Sequence, residues 1–354
     1  MSSYAFQTAA NYGNLPGAAW SPQIYSKKVQ KAFRKKTVVD QVTNSEYFGE
    51  IKNQGDSVRI IKEPEIVVTP YARGSQLVAQ DLQDEDFILT VDRANSFNFK
   101  IDDIEKMQSH VDWMDMAADR AGYRLKERYD ADILGYMSGF ERTDTPSSVS
   151  WAARTTSVGT KAWTTADSDE LLAANKLTRA SFVSGGSTSD SIVVGTKGTY
   201  DVTPLELINR MVRRLDELNV PEEGRFIVID PVFVEKLTDE NSKLINSDYN
   251  PGADQLTNGK LIAGTLRGFS VYKSNSLPYL GTGPGTIDAN GSSANYGVIV
   301  AGVKSACATA QMLTKTETYR DTNSFADITR GLQVYGRKIL RSEGLIRAIY
   351  NVNF

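Results

Sequence analysis

The sequence is poor in the residues that catalytic and metal sites use most. Its 354 residues include one histidine, His110, and one cysteine, Cys307. A single cysteine excludes an intrachain disulfide and most cysteine metal sites, and a single histidine excludes any site that needs two. We therefore expect His110 to be structural, Cys307 to be a buried thiol, and the protein to have no catalytic residues, no metal ligands and no cofactor.

Long hydrophobic runs are also missing. No stretch approaches the roughly 18 consecutive apolar residues of a membrane-spanning helix, which predicts a protein without membrane contact. The first residues lack the basic start and apolar core of a signal peptide, which favours a protein that stays in the cytoplasm where it is made. A chain of this length has room for about two domains.

Acidic residues are absent from positions 1–39, although the whole chain has a formal net charge of −3 at pH 7. The same stretch holds six cations, which are Lys27, Lys28, Lys31, Arg34, Lys35 and Lys36. Ser21 followed by Pro22 is typical of a helix start, so we predict a short helix within a basic arm. Its cations form either a solvated helix face or a contact to nucleic acid.

Two long strand-like runs, at residues 56–68 and 87–99, surround a charged middle segment. Each run holds about 13 residues and could extend ~40 Å. Because an isolated two-stranded ribbon is marginally stable in water, a hairpin of this reach needs another surface to lie on. A neighbouring copy of the same protein is the obvious candidate.

A helix pattern follows directly, with apolar or small residues at spacings of three and four from Ile101 to Met137. About 37 helical residues make a rod of ~55 Å. No heptad repeat is sustained, which favours a rod packed against a sheet over a coiled coil. An ordinary long helix in a globular enzyme remains open on this pattern alone.

The remaining segments predict an α+β protein without an alternating βαβ series. Residues 143–169 are typical of a loop, and residues 170–184 of an amphipathic helix. Thr203 before Pro204, with Glu206 three residues on, is a helix-capping signature. Further strands are predicted at residues 225–230, 268–272, 296–301, 331–340 and 345–350.

Two local motifs resemble ligand sites and fail on closer reading. The glycine-rich segment 281–285 is not followed by the Gly-Lys-Ser/Thr of a phosphate loop. The acidic run 81–86 lacks the glycine and terminal glutamate of a calcium loop. We interpret that run as a solvated turn that carries contact charges.

Four segments, taken in order, resemble the major capsid proteins of tailed bacteriophages with the Hong Kong 97-type fold. They are Trp20-Ser-Pro-Gln-Ile-Tyr-Ser-Lys-Lys-Val-Gln30, residues 47–60, residues 268–278, and residues 327–338 with their Tyr335-Gly336. They are similar to the N-terminal arm, the entry to the extended loop, part of the axial domain and the return strand of that family. Each motif is loose by itself, and their order and distances carry the resemblance across nearly the whole chain.

The resemblance implies five parts. They are an N-terminal arm (1–55), an extended β-hairpin loop (56–100), a peripheral domain (101–202) with a spine helix (101–138), an axial domain (203–315), and strands that return to the peripheral domain (316–354). Contacts to neighbouring copies are expected from the loop through Arg73, Asp81, Asp84, Glu85 and Asp86. The six cations of the basic arm are expected to contact scaffold or DNA.

The implied function is structural: copies would form hexamers and pentamers of an icosahedral shell around double-stranded DNA on its inner face. No long helical stretch precedes the arm, so a separate scaffolding protein is expected, together with a portal. The protein would reside in the virion after assembly in the bacterial cytoplasm. Two alternatives remain: an encapsulin-type compartment, which would hold no nucleic acid, and a carboxylate-dependent α+β enzyme, which would be a small oligomer.

Overall fold

The computed structural model describes residues 34–35, 37–46, 57–61, 64, 66–74, 76, 79–80, 86–108, 113–145, 148–153, 171–183, 192–195, 202–237, 265–280 and 296–352. Within them the protein is a mixed α+β fold, which confirms the predicted class. Of the helices in this part of the chain, none combines the length and the apolar character needed to span a membrane.

Five α-helices and fifteen strands are present among the described residues. The helices are α1 Val39–Val42, α2 Asp103–Gln108, α3 Trp113–Ser138, α4 Pro204–Glu217 and α5 Pro231–Leu237. The strands are β1 Ser57–Ile61, β2 Asp86–Thr90, β3 Arg93–Asp102, β4 Phe140–Thr145, β5 Ser148–Ala153, β6 Lys176–Leu177, β7 Ile192–Val194, β8 Arg225–Ile229, β9 Thr265–Leu266, β10 Phe269–Lys273, β11 Tyr279–Leu280, β12 Tyr296–Val303, β13 Cys307–Arg320, β14 Ala326–Ile339 and β15 Leu345–Val352.

An eight-stranded sheet forms the centre of the molecule, in the order β6-β15-β12-β8-β10-β9, with β7 beside β15 and β11 beside β12. Strand β8 is buried along its whole length. Phe226 and Val228 point into one core, whereas Ile227 and Ile229 point into the other. Because successive side chains of a strand alternate between faces, this sheet must be covered on both sides.

Helices α4 and α5 cover one face of this sheet. The predicted cap of α4 is confirmed: the Thr203 hydroxyl accepts a hydrogen bond from the Glu206 amide at 3.3 Å, and Pro204 occupies the first turn. The stripe Leu207, Ile208, Met211 and Leu215 is buried against the sheet. Amphipathic spacing and a start signal therefore position this helix from the sequence alone.

The C-terminal part of α3 covers the other face, where every residue from Tyr129 to Ser138 is buried. The predicted helix begins later than expected, because Ile101 and Asp102 belong to β3. Their backbones pair with Asp327 and Ala326 of β14, and this ladder prevails over the helical spacing of the side chains. Residues 109–112 lie outside the described part.

A second, three-stranded sheet has the order β13-β14-β3, and α3 packs against it. Here the structure corrects the predicted hairpin of residues 56–100. The second strand-like run divides at Val91 and Asp92: β2 pairs with β1, whereas β3 pairs with β14. The run was predicted as one strand, and the sequence showed neither its division into two strands nor their different partners.

Three further expectations differ from the structure. Of the predicted return strands 316–354, β14 joins the three-stranded sheet, but β15 enters the eight-stranded sheet beside β12 because both of its faces are apolar. The helix predicted at 170–184 is replaced by two short 3-10 turns around β6, which pairs with β15. The predicted loop 143–169 begins within a hairpin of β4 and β5.

Candidate assembly interface

The hairpin of β1 and β2 is fastened to the body at its base. Leu89 is fully buried beside Ala310 of β13, and a side chain at Gly336 of β14 would collide with the Thr90 carbonyl. The two strands pair over five residues each. The stem of β1 and β2 therefore attaches the hairpin to the three-stranded sheet.

Beyond the stem, the side chain of Gln80 connects the two halves of the hairpin through hydrogen bonds to the backbone of Val67. Ile61 stands opposite Asp86, and six residues farther along each strand Val67 faces Gln80. The Val67 N–H donates to Gln80 Oε1 at 3.2 Å, and Gln80 Nε2 donates to the Val67 carbonyl at 2.8 Å. The glutamine amide thus satisfies both polar groups of one residue and preserves the register of the stem.

The same register identifies the tip of the hairpin. Six residues beyond Val67 and Gln80 the two chains meet at Arg73 and Gly74, which form a turn. Gly74 has φ of +87°, a left-handed conformation that favours glycine. Arg73, one of the expected contact residues, is exposed at this turn.

The projecting part of the hairpin exposes apolar side chains. Ile66, Val67, Val68 and Tyr71 are all exposed, and Val68 is 91% accessible. Soluble monomers seldom present such a contiguous apolar strip, and strips of this kind mark interaction surfaces. The strip has the composition of a surface that becomes covered on association.

Of the four predicted acidic contact residues, the structure describes only Asp86. Asp86 lies in β2 and forms an ion pair with Arg59 of β1, so its charge is used within the stem. Asp81, Asp84 and Glu85 lie outside the described residues. Their expected contact with a neighbouring copy stays a prediction.

A second exposed apolar patch lies at the far end of the three-stranded sheet. Ile104 and Met107 of α2 stand near Phe325, in the turn between β13 and β14; the Asp103 N–H donates to the Phe325 carbonyl at 3.0 Å. Met107 is 88% and Phe325 81% accessible. The sequence assigned Ile104 and Met107 to the buried stripe of one long helix, and only the separate α2 places them outside. We call Ile104, Met107 and Phe325 the sheet-end patch.

Ion pairs within the subunit surround the sheet-end patch. Arg320 bonds Asp103 and also contacts Asp327 at 3.2 Å, and Lys106 approaches Asp327 at 3.2 Å. The hydrogen bonds from Lys106 and Arg320 lower the pKa of Asp327, and the bond from Arg320 lowers the pKa of Asp103. These four charges are paired locally, and the exposed Glu105 of α2 adds a negative charge to the rim of the apolar patch.

Two of the six predicted basic contact residues bind the subunit's own α3. Arg34 forms an ion pair with Asp119, and Lys35 Nζ lies 3.1 Å from Glu127 Oε1. The Lys35 amide donates to the Tyr123 hydroxyl at 2.6 Å. Lys27, Lys28, Lys31 and Lys36 lie outside the described residues. Their expected contact with scaffold or DNA stays a prediction.

The arm predicted at residues 1–55 is partly built into the body. Val38, Val39 and Val42 are buried in the core between α3 and the eight-stranded sheet. Asn44 forms a parallel bridge with Ala308 of β13. The sequence marked the charged residues before this segment and overlooked the valines, whose apolar side chains drive its burial.

The buried acidic residues serve the fold. Asp230 accepts hydrogen bonds from the Tyr350 hydroxyl and the Phe233 amide, and burial raises the pKa of both Asp230 and Tyr350. Burial likewise raises the pKa of Asp130 in α3. Cys307 is fully buried, as predicted. In the described part of the chain, no cluster of three histidine, cysteine or carboxylate side chains could hold a metal.

Comparison with solved structures finds the same fold in phage particles. A structure of Mycobacterium phage Che8 matches with a TM-score of 0.65 and 23% identity, covering 94% of this chain and 98% of that one. The capsid asymmetric unit of cyanophage Pam1 matches with a TM-score of 0.67 and 13% identity, over 97% and 99% of the two chains. The capsid of cyanophage P-SCSP1u matches at 0.59 and 19%, over 95% and 94%.

No family model matches the chain, and no curated protein matches its sequence significantly. The structural matches nevertheless extend over nearly the full length of both partners. The chain therefore has the Hong Kong 97-type fold, which confirms the resemblance seen in the sequence.

Proposed function

We propose that the protein is the major capsid protein of a tailed bacteriophage, which self-assembles into the hexamers and pentamers of an icosahedral shell around double-stranded DNA. The observation that carries this proposal is the end-to-end match to phage capsid structures. Because the match spans nearly all of both chains, the likeness is to a whole capsid subunit and not to one of its domains. The role is structural, and catalysis has no part in it.

The hairpin supports assembly as the mechanism. Its stem is paired over five residues in each strand, and its outer half carries an exposed apolar strip. Its tip lies twelve residues beyond the stem along each chain. A second copy is the partner that fits, because every copy in a shell offers the same hairpin and the same body at a fixed distance. Covering the strip on a neighbour would also supply strand edges for pairing.

The sheet-end patch supports contacts between identical surfaces. At a symmetry axis each residue meets its own counterpart, so unpaired like charges would repel. Four of the charges around this patch are already paired within each subunit, Glu105 adds a negative charge at its edge, and the exposed centre is apolar. That composition allows several copies to meet around one axis.

We assign the domains as follows. The eight-stranded sheet with α4 and α5 forms the axial domain and includes β15, so it extends beyond the range 203–315. Helix α3 and the three-stranded sheet form the peripheral domain, and residues 57–90 form the extended loop. The arm proper comprises the residues before Arg34.

The partners follow from the same proposal. A separate scaffolding protein and a portal would take part in assembly, and DNA would occupy the inner face of the shell. Lys27, Lys28, Lys31 and Lys36 are the basic residues we expect to contact scaffold or DNA. Assembly would take place in the bacterial cytoplasm, and the finished protein would reside in the virion.

A shortened hairpin tests the proposal. Replacing residues 68–79 by Asn-Gly joins Val67 to Gln80 through a two-residue turn that suits a tight hairpin. This deletion is centred on the tip and spares Asp86, which the stem needs. We expect a subunit that unfolds at the wild-type temperature and forms no closed shells by negative-stain microscopy. Normal particles from the shortened protein would contradict the proposal.

The content of purified particles separates a capsid from an encapsulin-type compartment. The proposal predicts nuclease-protected double-stranded DNA in particles from infected or lysogenic cells. Protein cargo without nucleic acid would favour the compartment instead.

A further inference from the structure

The segment that follows the basic residues is fastened firmly to its own subunit. The Asn44 N–H donates to the Cys307 carbonyl at 2.9 Å, and the Thr309 N–H donates to the Asn44 carbonyl at 2.9 Å. Together with the buried valines of α1, these bonds give the chain a defined path along α3 and β13. The position of the chain from Val38 to Asn44 on the subunit is therefore defined.

One buried side chain holds the start of this path. Asp130 of α3 is fully buried, and its Oδ1 accepts hydrogen bonds from the Val38 and Val39 amides at 2.8 and 3.0 Å. These two amides lie at the start of α1. The N-cap residue of α1 is Val38, whose apolar side chain cannot accept a hydrogen bond. Asp130 thus supplies from α3 the cap that α1 lacks.

The ion pairs of this segment are weaker attachments because they are exposed. Arg34 pairs with Asp119 on the surface, and Lys126 Nζ lies 3.1 Å from Asp40 Oδ2. Exposed ion pairs contribute little and are screened by salt. Charge-assisted hydrogen bonds to buried amides are stronger, and losing the acceptor leaves two buried donors unsatisfied. Asp130 is therefore the strongest side-chain hydrogen-bond attachment at the start of the segment, beside the buried valines and the backbone bonds of Asn44.

We propose that Asp130 is a positioning residue for assembly. It fixes where the N-terminal segment leaves the subunit, so that the basic residues before Arg34 reach the same place on an adjacent copy or on the shell's contents in every subunit. This inference rests on the proposed function and extends it: the place from which the arm extends is set by one carboxylate of the spine helix.

Two substitutions test the role of the acceptor. Asp130→Leu is similar in size and removes both hydrogen bonds, whereas Asp130→Asn keeps a carbonyl oxygen that can accept them. In the unassembled subunit, we expect amide hydrogen exchange of residues 38–42 to accelerate at least tenfold in Asp130→Leu. Exchange in β8 and β12 should stay at the wild-type rate, and Asp130→Asn should keep most of the protection.

Particle formation is the second readout. We expect Asp130→Leu to yield open or irregular assemblies by negative-stain microscopy and Asp130→Asn to yield closed shells. Wild-type protection of residues 38–42 and closed shells in Asp130→Leu would overturn the inference. If Asp130→Leu does not fold, Asp130→Ser is measured in the same way, because its short hydroxyl cannot reach both amides.

The two proposals fail in different ways. If the wild-type protein formed no particles, the proposed function would fail, while the exchange experiment on the subunit would still report whether Asp130 holds the segment. If the wild type formed shells and both Asp130 variants did so equally, only the positioning role would be lost.

Discussion

Asp132 of α3 and Arg337 of β14 form a buried ion pair at 2.6 Å. Arg337 Nη1 also donates to the Asp132 backbone carbonyl at 2.7 Å, and the Tyr335 hydroxyl donates to Asp132 Oδ2 at 2.9 Å. The guanidinium group lies over the Tyr136 ring at 4.6 Å from its centroid. Because α3 and β14 are distant in sequence, this cluster fixes the long helix on the three-stranded sheet.

Removing one member of this pair should destabilise the subunit strongly. Arg337→Met leaves the Asp132 carboxylate buried without its counter-charge, and we expect a loss of about 3–5 kcal/mol in the free energy of unfolding. Urea denaturation of the unassembled subunit measures it. The control is Arg330→Met, which breaks the exposed pair with Glu317 at 2.8 Å and should change the midpoint far less. Equal midpoints for the two variants would contradict this assignment.

Two glycines should respond in opposite directions to alanine. Gly122 lies on the exposed face of α3, where an added Cβ would have no atom within 4 Å, so Gly122→Ala should stabilise the subunit by about 0.5–1 kcal/mol. Gly302 lies in β12, where a Cβ would meet the Gly344 carbonyl and the Leu345 side chain. Gly302→Ala should therefore destabilise it by about 1–3 kcal/mol. Thermal unfolding of both variants checks the sign, and a stabilised Gly302→Ala would show that β12 is packed differently.

The basic residues should separate into two groups. Lys27→Gln, Lys28→Gln and Lys31→Gln together should leave the unfolding midpoint of the subunit unchanged while lowering the yield of filled particles. Arg34→Gln with Lys35→Gln should instead accelerate hydrogen exchange of residues 38–42, since both cations pair with α3. Particle yield and exchange rates measure the two effects. Unchanged yields of filled particles in the lysine variant would refute its role.

Glu127 should make the attachment of the segment sensitive to acid. Burial alone would raise its pKa, but hydrogen bonds from Arg124 and Lys35 outweigh that effect and lower the pKa below its ordinary value of 4.5. Because the pKa of Glu127 is lowered in the folded protein, its ionised carboxylate stabilises the fold at pH values above 4.5. This stabilisation is lost as the pH falls through the lowered pKa. Glu127→Gln should therefore cost about 1 kcal/mol at pH 7 and progressively less below pH 4.5.

Urea denaturation between pH 7 and pH 3 measures this difference. A cost of Glu127→Gln that stayed constant with pH would show that the ion pairs with Lys35 and Arg124 do not stabilise the fold.

Local features of the fold were predictable where the signal is local. Thr203 and Pro204 marked the start of α4, and short, largely apolar runs marked the strands β8, β12 and β15. Partner choice was not predictable, because a two-residue period is the same whichever strand lies alongside. The residues of β3 up to Lys100 were therefore assigned to the hairpin, although they pair with β14, and the sequence did not show that β14 and β15 enter different sheets.

The candidate interface shows the same division. The position of Arg73 at the hairpin tip follows from the register of β1 and β2, because the strand-like runs in the sequence are centred farther along, between residues 77 and 78. The link between Gln80 and Val67, and the cap that Asp130 provides to α1, join residues whose sequence separation carries no pattern. The exposed Met107 was misassigned because its spacing fits the helical stripe, and only the short α2 turns it outward.

The most direct test of the central claim is the state of the purified wild-type protein. Size-exclusion chromatography followed by negative-stain microscopy should show closed shells of uniform size, eluting far ahead of a 39.0 kDa subunit. A monodisperse monomer or dimer at every concentration, with no shells in the micrographs, would contradict the account.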